Sequence, residues 1–246
     1  MNTVILGATG GIGRALARVM ADRGDRLFLL GRSREELEKS TSDLRERSGP
    51  EAVVDTGICD LLEPGGFTAA LAAAQEALGR IETVIVTAAL FSLQEELEDD
   101  HLLARRLLDV NFARTVEFCE VAKRRLLDSG GGTLCVFSSV AGERGRKPVI
   151  LYGAAKAGLT RYLEGLDHKY RSQGLVTITA KPGFVKTGMT TGLDPPPFAG
   201  EPEPVARRVL RAIDDGTPVV YAPGAWRWIM LLIRNLPRAA MRRIGF

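Results

Sequence analysis

The sequence predicts an α/β protein with one doubly wound parallel sheet, in strand order 3-2-1-4-5-6-7, and helices on both faces. Short apolar or β-branched segments alternate with longer segments of helical periodicity, as in parallel sheets whose strands are joined by helices. The apolar segments carry few charges and little alternation, as expected of strands buried on both faces. A glycine-rich turn at residues 7–13 joins the first strand to the first helix. Right-handed crossovers then produce the doubly wound arrangement.

The first half of the chain predicts four strands, each followed by a helix. The strands are expected at residues 3–6, 26–30, 52–56 and 83–87. The helices are expected at residues 11–23, 34–46, 67–78 and 101–127. In the first helix Ile12, Leu16 and Val19 recur at helical spacing, which places them on one face.

The second half predicts strands at residues 133–138, 176–181 and 219–221, and a helix at residues 152–171. Residues 194–204 include five prolines. Because proline has no amide donor, this segment predicts an irregular loop. It follows the carboxyl end of a strand, so it is either a plain surface loop or a lid over a substrate.

Composition excludes several classes of protein. Of 246 residues, 45% are hydrophobic and 26% charged, so the chain can bury a large core and is neither disordered nor collagen-like. The net charge of +3 is too small to indicate nucleic acid as a partner. Three separated cysteines, Cys59, Cys119 and Cys135, predict reduced buried side chains, a cytoplasmic location and no metal site. Neither a signal peptide nor a membrane-spanning segment is predicted.

The glycine-rich turn predicts a nucleotide site. Glycines let the backbone turn tightly and approach a pyrophosphate, and the following helix supplies free amides and a partial positive charge. The strand–turn–helix context makes the pattern much stronger than glycines alone. The residues expected to contact the nucleotide here are Gly7, Thr9, Gly10, Gly11, Ile12 and Gly13. The alternative is a tight turn without a ligand.

The residues after the second strand bear on which dinucleotide is bound. Arg32 lies 19 positions after Gly13, about where such folds meet the adenosine ribose. An acidic residue there would bind the ribose 2′-hydroxyl of NAD, whereas a guanidinium suits a 2′-phosphate. Arg32 and Ser33, with Arg14 nearby, therefore favour NADP(H) over NAD(H). The alternative is a solvated arginine at the start of a helix.

Ser139, Tyr152 and Lys156 form a candidate catalytic set. Tyr152 and Lys156 are one helical turn apart and project from one face. A nearby ammonium lowers the pKa of a phenol, ordinarily ~10, and the tyrosine can then exchange a proton with a carbonyl or alcohol oxygen. A serine hydroxyl after the fifth strand can hold that oxygen. By spacing alone, a tyrosine and a lysine four positions apart are common by chance.

Four motifs in order resemble those of the short-chain dehydrogenase/reductase family, which has a Rossmann-type fold. They are Gly7-x-x-x-Gly11-x-Gly13, Phe137-Ser138-Ser139-Val140-Ala141-Gly142, Tyr152-x-x-x-Lys156 and Lys181-Pro182-Gly183-Phe184-Val185-Lys186-Thr187. Asp109-Val110-Asn111 matches the family's asparagine, and Ser139 precedes Tyr152 by the family's usual 13 residues. The resemblance spans residues 2 to about 221. It implies an oxidoreductase that transfers hydride between a nicotinamide and a carbonyl or alcohol carbon.

The resemblance also implies a role for each matched residue. Tyr152 is the general acid/base, Lys156 lowers its pKa and holds the nicotinamide ribose, and Ser139 orients the substrate oxygen. Asn111 supports a water-linked proton relay to Lys156. Further cofactor contacts are implied at Asp60, Leu61, Ala88, Ala89, Pro182, Gly183, Val185 and Thr187.

Two positions depart from the family pattern. Leu6 stands where a threonine is usual, and Val86-Thr87-Ala88-Ala89 stands where Asn-Asn-Ala-Gly is usual. The missing asparagine is expected to remove a side-chain brace between strands.

Residues 225–246 are expected to extend a catalytic domain of residues 1–224. They include five arginines and no acidic residue, and Pro237 is expected to divide them into two short helices. The predicted basic stripe is Arg227, Arg234, Arg238 and Arg242, and the opposite apolar stripe is Ile229, Leu232, Leu236 and Ala240. Tryptophans beside arginines are typical of helices at a membrane surface. The alternative is a helix packed on the protein itself or on a second subunit.

A narrower resemblance concerns the substrate. Residues 138–146 and 221–230 are similar to segments of the actinobacterial decaprenylphosphoryl-2-keto-erythro-pentose reductases, which reduce a ketone on a lipid-linked pentose. This implies a lipid-linked ketone or alcohol, with Arg144, Arg146 and Lys147 near its phosphate, and peripheral contact with the inner face of the membrane. A soluble small-molecule ketone is the alternative.

Two further expectations concern assembly and activity. The family resemblance implies a homo-oligomer, a dimer or tetramer, formed through the helices that contain Asn111 and Tyr152. The intact catalytic set favours a reductase. The other function left open is a non-catalytic NADP(H)-binding sensor or assembly protein of the same fold.

Overall fold

The computed structural model describes residues 1–49 and 53–244, whose strands form one parallel sheet. The strands are β1 (Asn2–Leu6), β2 (Arg26–Gly31), β3 (Val54–Ile58), β4 (Thr83–Val86), β5 (Gly132–Phe137), β6 (Leu175–Pro182) and β7 (Val219–Ala222). Their order is β3-β2-β1-β4-β5-β6-β7, with every neighbouring pair parallel. The predicted doubly wound α/β fold and strand order are confirmed. The third strand begins at Val54, and its predicted start at residue 52 lies outside the described residues.

Helices connect the strands and cover both faces of the sheet. The α-helices of the described residues are α1 (Gly11–Asp22), α2 (Arg34–Ser48), α3 (Phe67–Leu78), α4 (Gln94–Asp99), α5 (His101–Leu108), α6 (Arg114–Asp128), α7 (Ile150–Tyr170), α8 (Pro202–Asp214), α9 (Trp226–Asn235) and α10 (Arg238–Arg243). Short 3₁₀ helices lie at Pro64–Gly66, Val140–Glu143, Lys147–Val149, Arg171–Gln173 and Gly188–Thr190. Helix α4 was not predicted, because its six residues are too few to show an apolar period.

The core lies on both faces of the sheet, as the strand composition predicts. On β1, Ile5 packs on one face with residues of α1 and α8. Val4 and Leu6 pack on the other face with residues of α3, α6 and α7. The three cysteines are free and buried, as predicted, and burial raises the pKa of the Cys59 thiol to about 12. Because both faces are filled, the open edge at the carboxyl ends of the strands is where a ligand can bind.

A π-helical turn, Asp109–Ala113, interrupts the long helix predicted at residues 101–127. It separates α5 from α6, so the prediction of one continuous helix was wrong here. A π turn bonds each amide five residues back rather than four, and the Thr115 hydroxyl also donates to the carbonyl of Val110, at 2.7 Å. The turn leaves Asn111 fully buried against the loop that follows β4.

The C-terminal segment forms two helices on either side of Pro237, as predicted. Helix α9 buries Trp226, Met230 and Ile233 against Val140. The predicted apolar stripe was therefore wrong in its orientation, since Leu232 is 67% exposed. The buried residues recur at the i, i+4, i+7 spacing of a helix face, rotated from the predicted stripe. No helix in residues 1–49 and 53–244 has both the length and the apolar character needed to cross a bilayer.

The proline-rich segment at residues 194–204 is irregular only as far as Glu201. Its last residues begin α8, with Pro202 in the first turn, so the predicted loop was too long at this end. Proline suits a first helical turn because its fixed φ is already helical and its missing amide has no partner there. Gly200 pairs with Val185, which holds the irregular part beside the loop after β6.

Candidate active site

Backbone packing fixes the turn between β1 and α1. Gly7 has φ +91°, and a Cβ there would lie 2.6 Å from the amide nitrogen of Ala88. A Cβ on Gly13 would lie 2.2 Å from the carbonyl oxygen of Gly7. Only glycine fits at either position, which accounts for the glycine pattern in the sequence. The turn brings the first amides of α1, which have no acceptor within the helix, to the open edge of the sheet.

Thr87, which directly follows β4, holds this turn in place through hydrogen bonds. Its hydroxyl lies 3.0 Å from the carbonyl oxygens of both Leu6 and Gly7, and its amide donates to Leu6 at 2.8 Å. The expectation that losing the family's asparagine removes a side-chain brace was wrong, because the threonine hydroxyl provides one.

Two adjoining cavities form a groove along this edge, called here the cofactor groove. The first, of about 230 Å³, is lined by Gly7, Thr9, Gly10, Arg32, Asp60, Leu61, Ala88 and Ala89 among others. The second, of about 290 Å³, is lined by Gly11, Ile12, Gly13, Tyr152, Lys156, Pro182 and Thr187 among others. Gly10, Thr87, Ala89 and Met189 line both. The groove therefore brings most of the predicted cofactor residues together in one elongated site that suits a dinucleotide.

Three predicted cofactor residues do not line this groove. The Ser33 hydroxyl caps α2 by accepting from the amide of Glu36 at 3.3 Å. Val185 is buried in the core on the α1 and α8 side of the sheet. Gly183 lies against the indole of Trp226, where a Cβ would come within 2.0 Å of Nε1. These three residues stabilise the elements that surround the groove, as a helix cap, a core side chain and a close backbone contact.

The mouth of the first cavity is basic. Arg32 is exposed there, and within the described part of the chain it has no hydrogen bond or ion pair. Arg14, expected to assist it, instead donates to the carbonyl of Thr9 and lies 3.4 Å from a carboxylate oxygen of Glu36. Arg14 therefore holds the glycine turn, and Arg32 remains available for a phosphate.

Arg106 and Met189 are among the groove residues that sequence reasoning missed. Arg106, on α5, adds a second guanidinium to the first cavity. Met189 lies in the 3₁₀ helix Gly188–Thr190, where the two cavities meet. No local motif marks either residue, because each reaches the groove only through the packing of distant elements.

Asn111 ties the π turn to the loop after β4. Its amide nitrogen donates to the carbonyl of Leu90 at 2.6 Å, and its amide oxygen accepts from the Leu90 nitrogen at 3.1 Å. The Asn111 side chain therefore makes two hydrogen bonds to the backbone of Leu90. This fixes the π turn behind the groove, on the same side as α7.

Tyr152 lines the second cavity together with Ser138, and Ser139 is the next residue in the chain. Burial raises the pKa of the Tyr152 phenol to about 12, although a hydrogen bond with Ser139 and the positive charge of Arg146 both act to lower it. The ring packs edge-on against Phe91, with centroids 5.1 Å apart. At neutral pH the phenol is therefore protonated and able to donate to an oxygen in the groove.

Lys156 lies below Tyr152 and is almost completely buried. Its Nζ donates to the carbonyl of Phe137 at 2.9 Å and lies 5.8 Å from the Tyr152 ring centroid. Burial lowers the pKa of Lys156 to about 7. In this geometry the Arg146 charge acts to lower the pKa of Tyr152. The same effect of Lys156 stays a prediction.

Close packing holds the serine to the tyrosine helix. A Cβ on Gly153 would lie 2.8 Å from the carbonyl oxygen of Ala141, and one on Gly142 would lie 2.7 Å from the amide nitrogen of Ala157. The Ser138 hydroxyl donates to the carbonyl of Lys156 at 2.9 Å. The turn after Ser139 and the first part of α7 therefore pack backbone against backbone.

Two of the predicted phosphate ligands contact the C-terminal helices instead. Arg144 donates to the carbonyl oxygens of Arg234 and Leu236, at 3.3 and 2.6 Å. The Nζ of Lys147 donates to the carbonyl of Arg242 at 2.9 Å. The expectation that these two cations meet a substrate phosphate is not supported by their contacts.

Comparison with known proteins agrees with this geometry. Residues 2–196 match the family described as short chain dehydrogenase. An uncharacterized oxidoreductase of Mycobacterium tuberculosis is 34% identical over 98% of this chain and 96% of its own length. Carbonyl reductase family member 4 of Xenopus tropicalis is 25% identical over 84% of this chain and 88% of its own. The solved structure of a short-chain dehydrogenase from Sphingobium yanoikuyae, in complex with NADPH, has a TM-score of 0.82 and 25% identity, covering 99% of this chain and 96% of its own.

Proposed function

The chain belongs to the short-chain dehydrogenase family, and we propose that it reduces a ketone with NADPH or oxidises the corresponding alcohol with NADP⁺. The observation that carries this proposal is the placement of the buried Tyr152 and Lys156 in the second cavity of the cofactor groove, beside the turn that follows Ser139. The glycine turn, which runs along both cavities, has no space for a side chain at Gly7 and Gly13. Such close backbone approach suits a pyrophosphate beside the amides of α1.

In this proposal the chain's own residues handle the proton and the orientation of the carbonyl. The nicotinamide, when bound, supplies the hydride. Tyr152 donates its phenolic proton to the carbonyl oxygen as the carbon is reduced. Ser139 donates a hydrogen bond to the same oxygen and stabilises the charge that develops there. Lys156 holds the nicotinamide ribose, and Asn111 supports the path by which Tyr152 regains a proton.

NADPH is the proposed cofactor in preference to NADH. The guanidinium of Arg32 lies at the mouth of the groove, beside Gly31, and has no ion pair among the residues that the structure describes. A Cβ on Gly31 would lie 3.2 Å from the Thr9 side chain, so an acidic residue that would bind a 2′-hydroxyl has little space there. A guanidinium pairs well with a 2′-phosphate.

The proposed substrate class is a ketone carried on a lipid phosphate. The outer face of α9 supports this choice, since Trp228 and Leu232 are each 67% exposed on a helix whose segment contains arginines and no acid. Such a face suits the surface of an anionic bilayer. The protein is then cytoplasmic and peripheral at the inner face of the membrane, with residues 225–246 extending the catalytic domain of residues 1–224.

We also propose a homo-oligomer, a dimer or tetramer, formed through α5, the π turn and α7. Leu102 is 81% exposed on α5. Phe112 in the π turn and Ile150 on α7 are also exposed apolar residues. Association of two copies would bury such side chains.

The test is oxidation of NADPH and of NADH by the purified protein, followed by absorbance. The substrates are a polyprenyl-phosphoryl 2-keto-pentose and a panel of soluble ketones, with Tyr152→Phe as the control. Turnover of the lipid-linked sugar alone, with NADPH preferred, supports the full proposal. Turnover of soluble ketones alone keeps the reductase and removes the lipid-linked substrate.

A second candidate is a non-catalytic NADP(H)-binding sensor or assembly protein. The joint placement of Ser139, Tyr152 and Lys156 argues against it, because a binding protein has no need of a protonated phenol in its groove. Binding of NADPH without turnover of any offered ketone would favour this candidate.

A further inference from the structure

The carboxylate of Glu143 joins four elements beside the active site. Glu143 ends the 3₁₀ helix Val140–Glu143, which begins directly after Ser139. Its Oε1 accepts from the Nζ of Lys181 on β6 at 2.7 Å and from the hydroxyl of Tyr221 on β7 at 2.5 Å. Its Oε2 lies 3.6 Å from the Nε of Arg234 on α9, and the side chain is only 4% exposed. These four residues are called here the Glu143 cluster.

Neighbouring contacts tie the same turn to the C-terminal helices. Arg144 donates to the carbonyls of Arg234 and Leu236, at the end of α9 where carbonyl oxygens lack helical partners and a cation is favoured. On the apolar side, Val140 packs with Trp226 and other residues of α9. Charged and apolar contacts therefore fasten α9 to the residues on either side of Gly142.

The 3₁₀ helix Val140–Glu143, called here the serine turn, connects these contacts to Ser139. The Ser139 oxygen accepts from the amide of Ala141 at 3.1 Å, and Gly142 and Gly153 pack with no space for a Cβ. This turn is therefore connected to α7 through Gly142 and Gly153 and to α9 through Glu143.

Helix α9 also borders the loops on the other side of the groove. The indole of Trp226 lies directly against Gly183, where a Cβ would come within 2.0 Å of Nε1. The same Nε1 donates to the carbonyl of Phe198, at 3.2 Å, in the proline-rich segment. One helix thus contacts the serine turn, the loop after β6 and the segment at residues 194–201.

We propose that Glu143 is a positioning residue for the catalytic serine. Helix α9 holds the serine turn in position through two contacts, that of Arg234 with Glu143 and that of Arg144 with the carboxyl end of α9. This rests on the proposed function, because it assigns Ser139 a role in the reaction. Catalysis is sensitive to small displacements of the groups that hold the substrate, and an error of ~1 Å can cost about 100-fold in rate. The segment at residues 225–244 is then part of the active site's support.

The test avoids the most disruptive substitution. Glu143→Gln would leave the buried Lys181 ammonium without its counter-charge, and such a change can prevent folding. Tyr221→Phe and Arg234→Gln each remove one contact to the carboxylate and keep the Glu143–Lys181 pair. Arg234→Lys restores a cation, and Arg207→Gln is the matched control, since Arg207 pairs with Glu203 on the surface of α8.

Two readouts decide the proposal. The first is the kcat of ketone reduction alongside the Kd of NADPH, where Tyr221→Phe and Arg234→Gln are expected to lower kcat roughly tenfold and leave the Kd within about twofold. Arg234→Lys should recover most of kcat, and Arg207→Gln should match the wild type. Unchanged kcat in both test variants, or an equal loss in Arg207→Gln, would overturn the proposal.

The second readout is amide hydrogen exchange of residues 139–149, which does not depend on turnover. Faster exchange there in Tyr221→Phe and Arg234→Gln, with α1 unchanged, supports the coupling between α9 and the serine turn. Exchange equal to that of the wild type contradicts it. If the wild-type protein reduced none of the ketones offered, the proposed function would fail, while the exchange measurement would still decide whether α9 holds the serine turn.

Discussion

Backbone packs against backbone on the cofactor side of the groove, whereas the turn after Ser139 adds to such packing a buried cluster of charged side chains. Gly7 and Gly13 approach carbonyl and amide groups so closely that no side chain fits. Across the groove, Glu143 joins Lys181, Tyr221 and Arg234. Backbone packing leaves a glycine signature within seven residues, while a buried carboxylate leaves only scattered charges. The first arrangement can therefore be recognised in the sequence, and the second cannot.

The largest effect is expected where the two sides meet, at Tyr152. Tyr152→Phe removes the proton donor and keeps the ring against Phe91. We expect kcat to fall about 1,000-fold with NADPH affinity unchanged, measured by steady-state kinetics and by fluorescence titration. Retention of more than a tenth of the wild-type kcat would remove the tyrosine from the reaction.

The next effect tests the cofactor side alone. In Gly13→Ala the new Cβ would meet the Gly7 carbonyl at 2.2 Å, so the turn must move. NADPH affinity should weaken at least about tenfold, a cost of about 1.4 kcal/mol, measured by calorimetry. Gly165→Ala on α7 is the control, because nothing lies within 4 Å of its Cβ position. Equal affinity in the Gly13 and Gly165 variants would show that backbone packing does not set the cofactor site.

A smaller and more selective effect is expected at the mouth of the groove. Arg32→Gln should lower kcat/KM for NADPH by roughly tenfold, as loss of a charged hydrogen bond does, and leave that for NADH nearly unchanged. Arg34→Gln, at the first residue of α2 and outside the groove, serves as the control. An equal loss of kcat/KM with NADPH and with NADH would mean that Arg32 does not bind the 2′-phosphate.

The smallest effect concerns stability against pH. Burial lowers the pKa of Lys156 to about 7 from its ordinary 10.5. Between these values the unfolded chain holds a proton that the folded chain lacks, so the contribution of Lys156 to stability should rise as pH increases from 7 to 10. Burial raises the pKa of the three cysteine thiols, which acts in the opposite direction at the alkaline end, so Lys156→Met is the reference. The Tm of the wild type minus that of Lys156→Met should rise by a few degrees over this range, and equal slopes for the two proteins would contradict the assignment.

The fold was predictable because the alternation of strands and helices depends on residues close together in the sequence. The motifs led to Gly7 and Tyr152, which line the groove, and the catalytic roles stay predictions. The Glu143 cluster was not predictable, because Glu143 and Lys181 are separated by 38 positions and lie in no shared motif. The orientation of α9 was missed for a related reason: its pattern permits more than one apolar face, and contact with Val140 selects the one that contains Trp226.

The central claim, that Tyr152 and Ser139 assist the transfer of hydride from a bound dinucleotide to a carbonyl carbon, is tested most directly by following the hydride itself. The purified protein would be given NADPH carrying deuterium at the transferable position, with the lipid-linked keto-sugar and the soluble ketones. The account predicts an alcohol with one deuterium on the carbinol carbon, and almost none with Tyr152→Phe. Tight NADPH binding with no deuterium transferred to any carbonyl would contradict it.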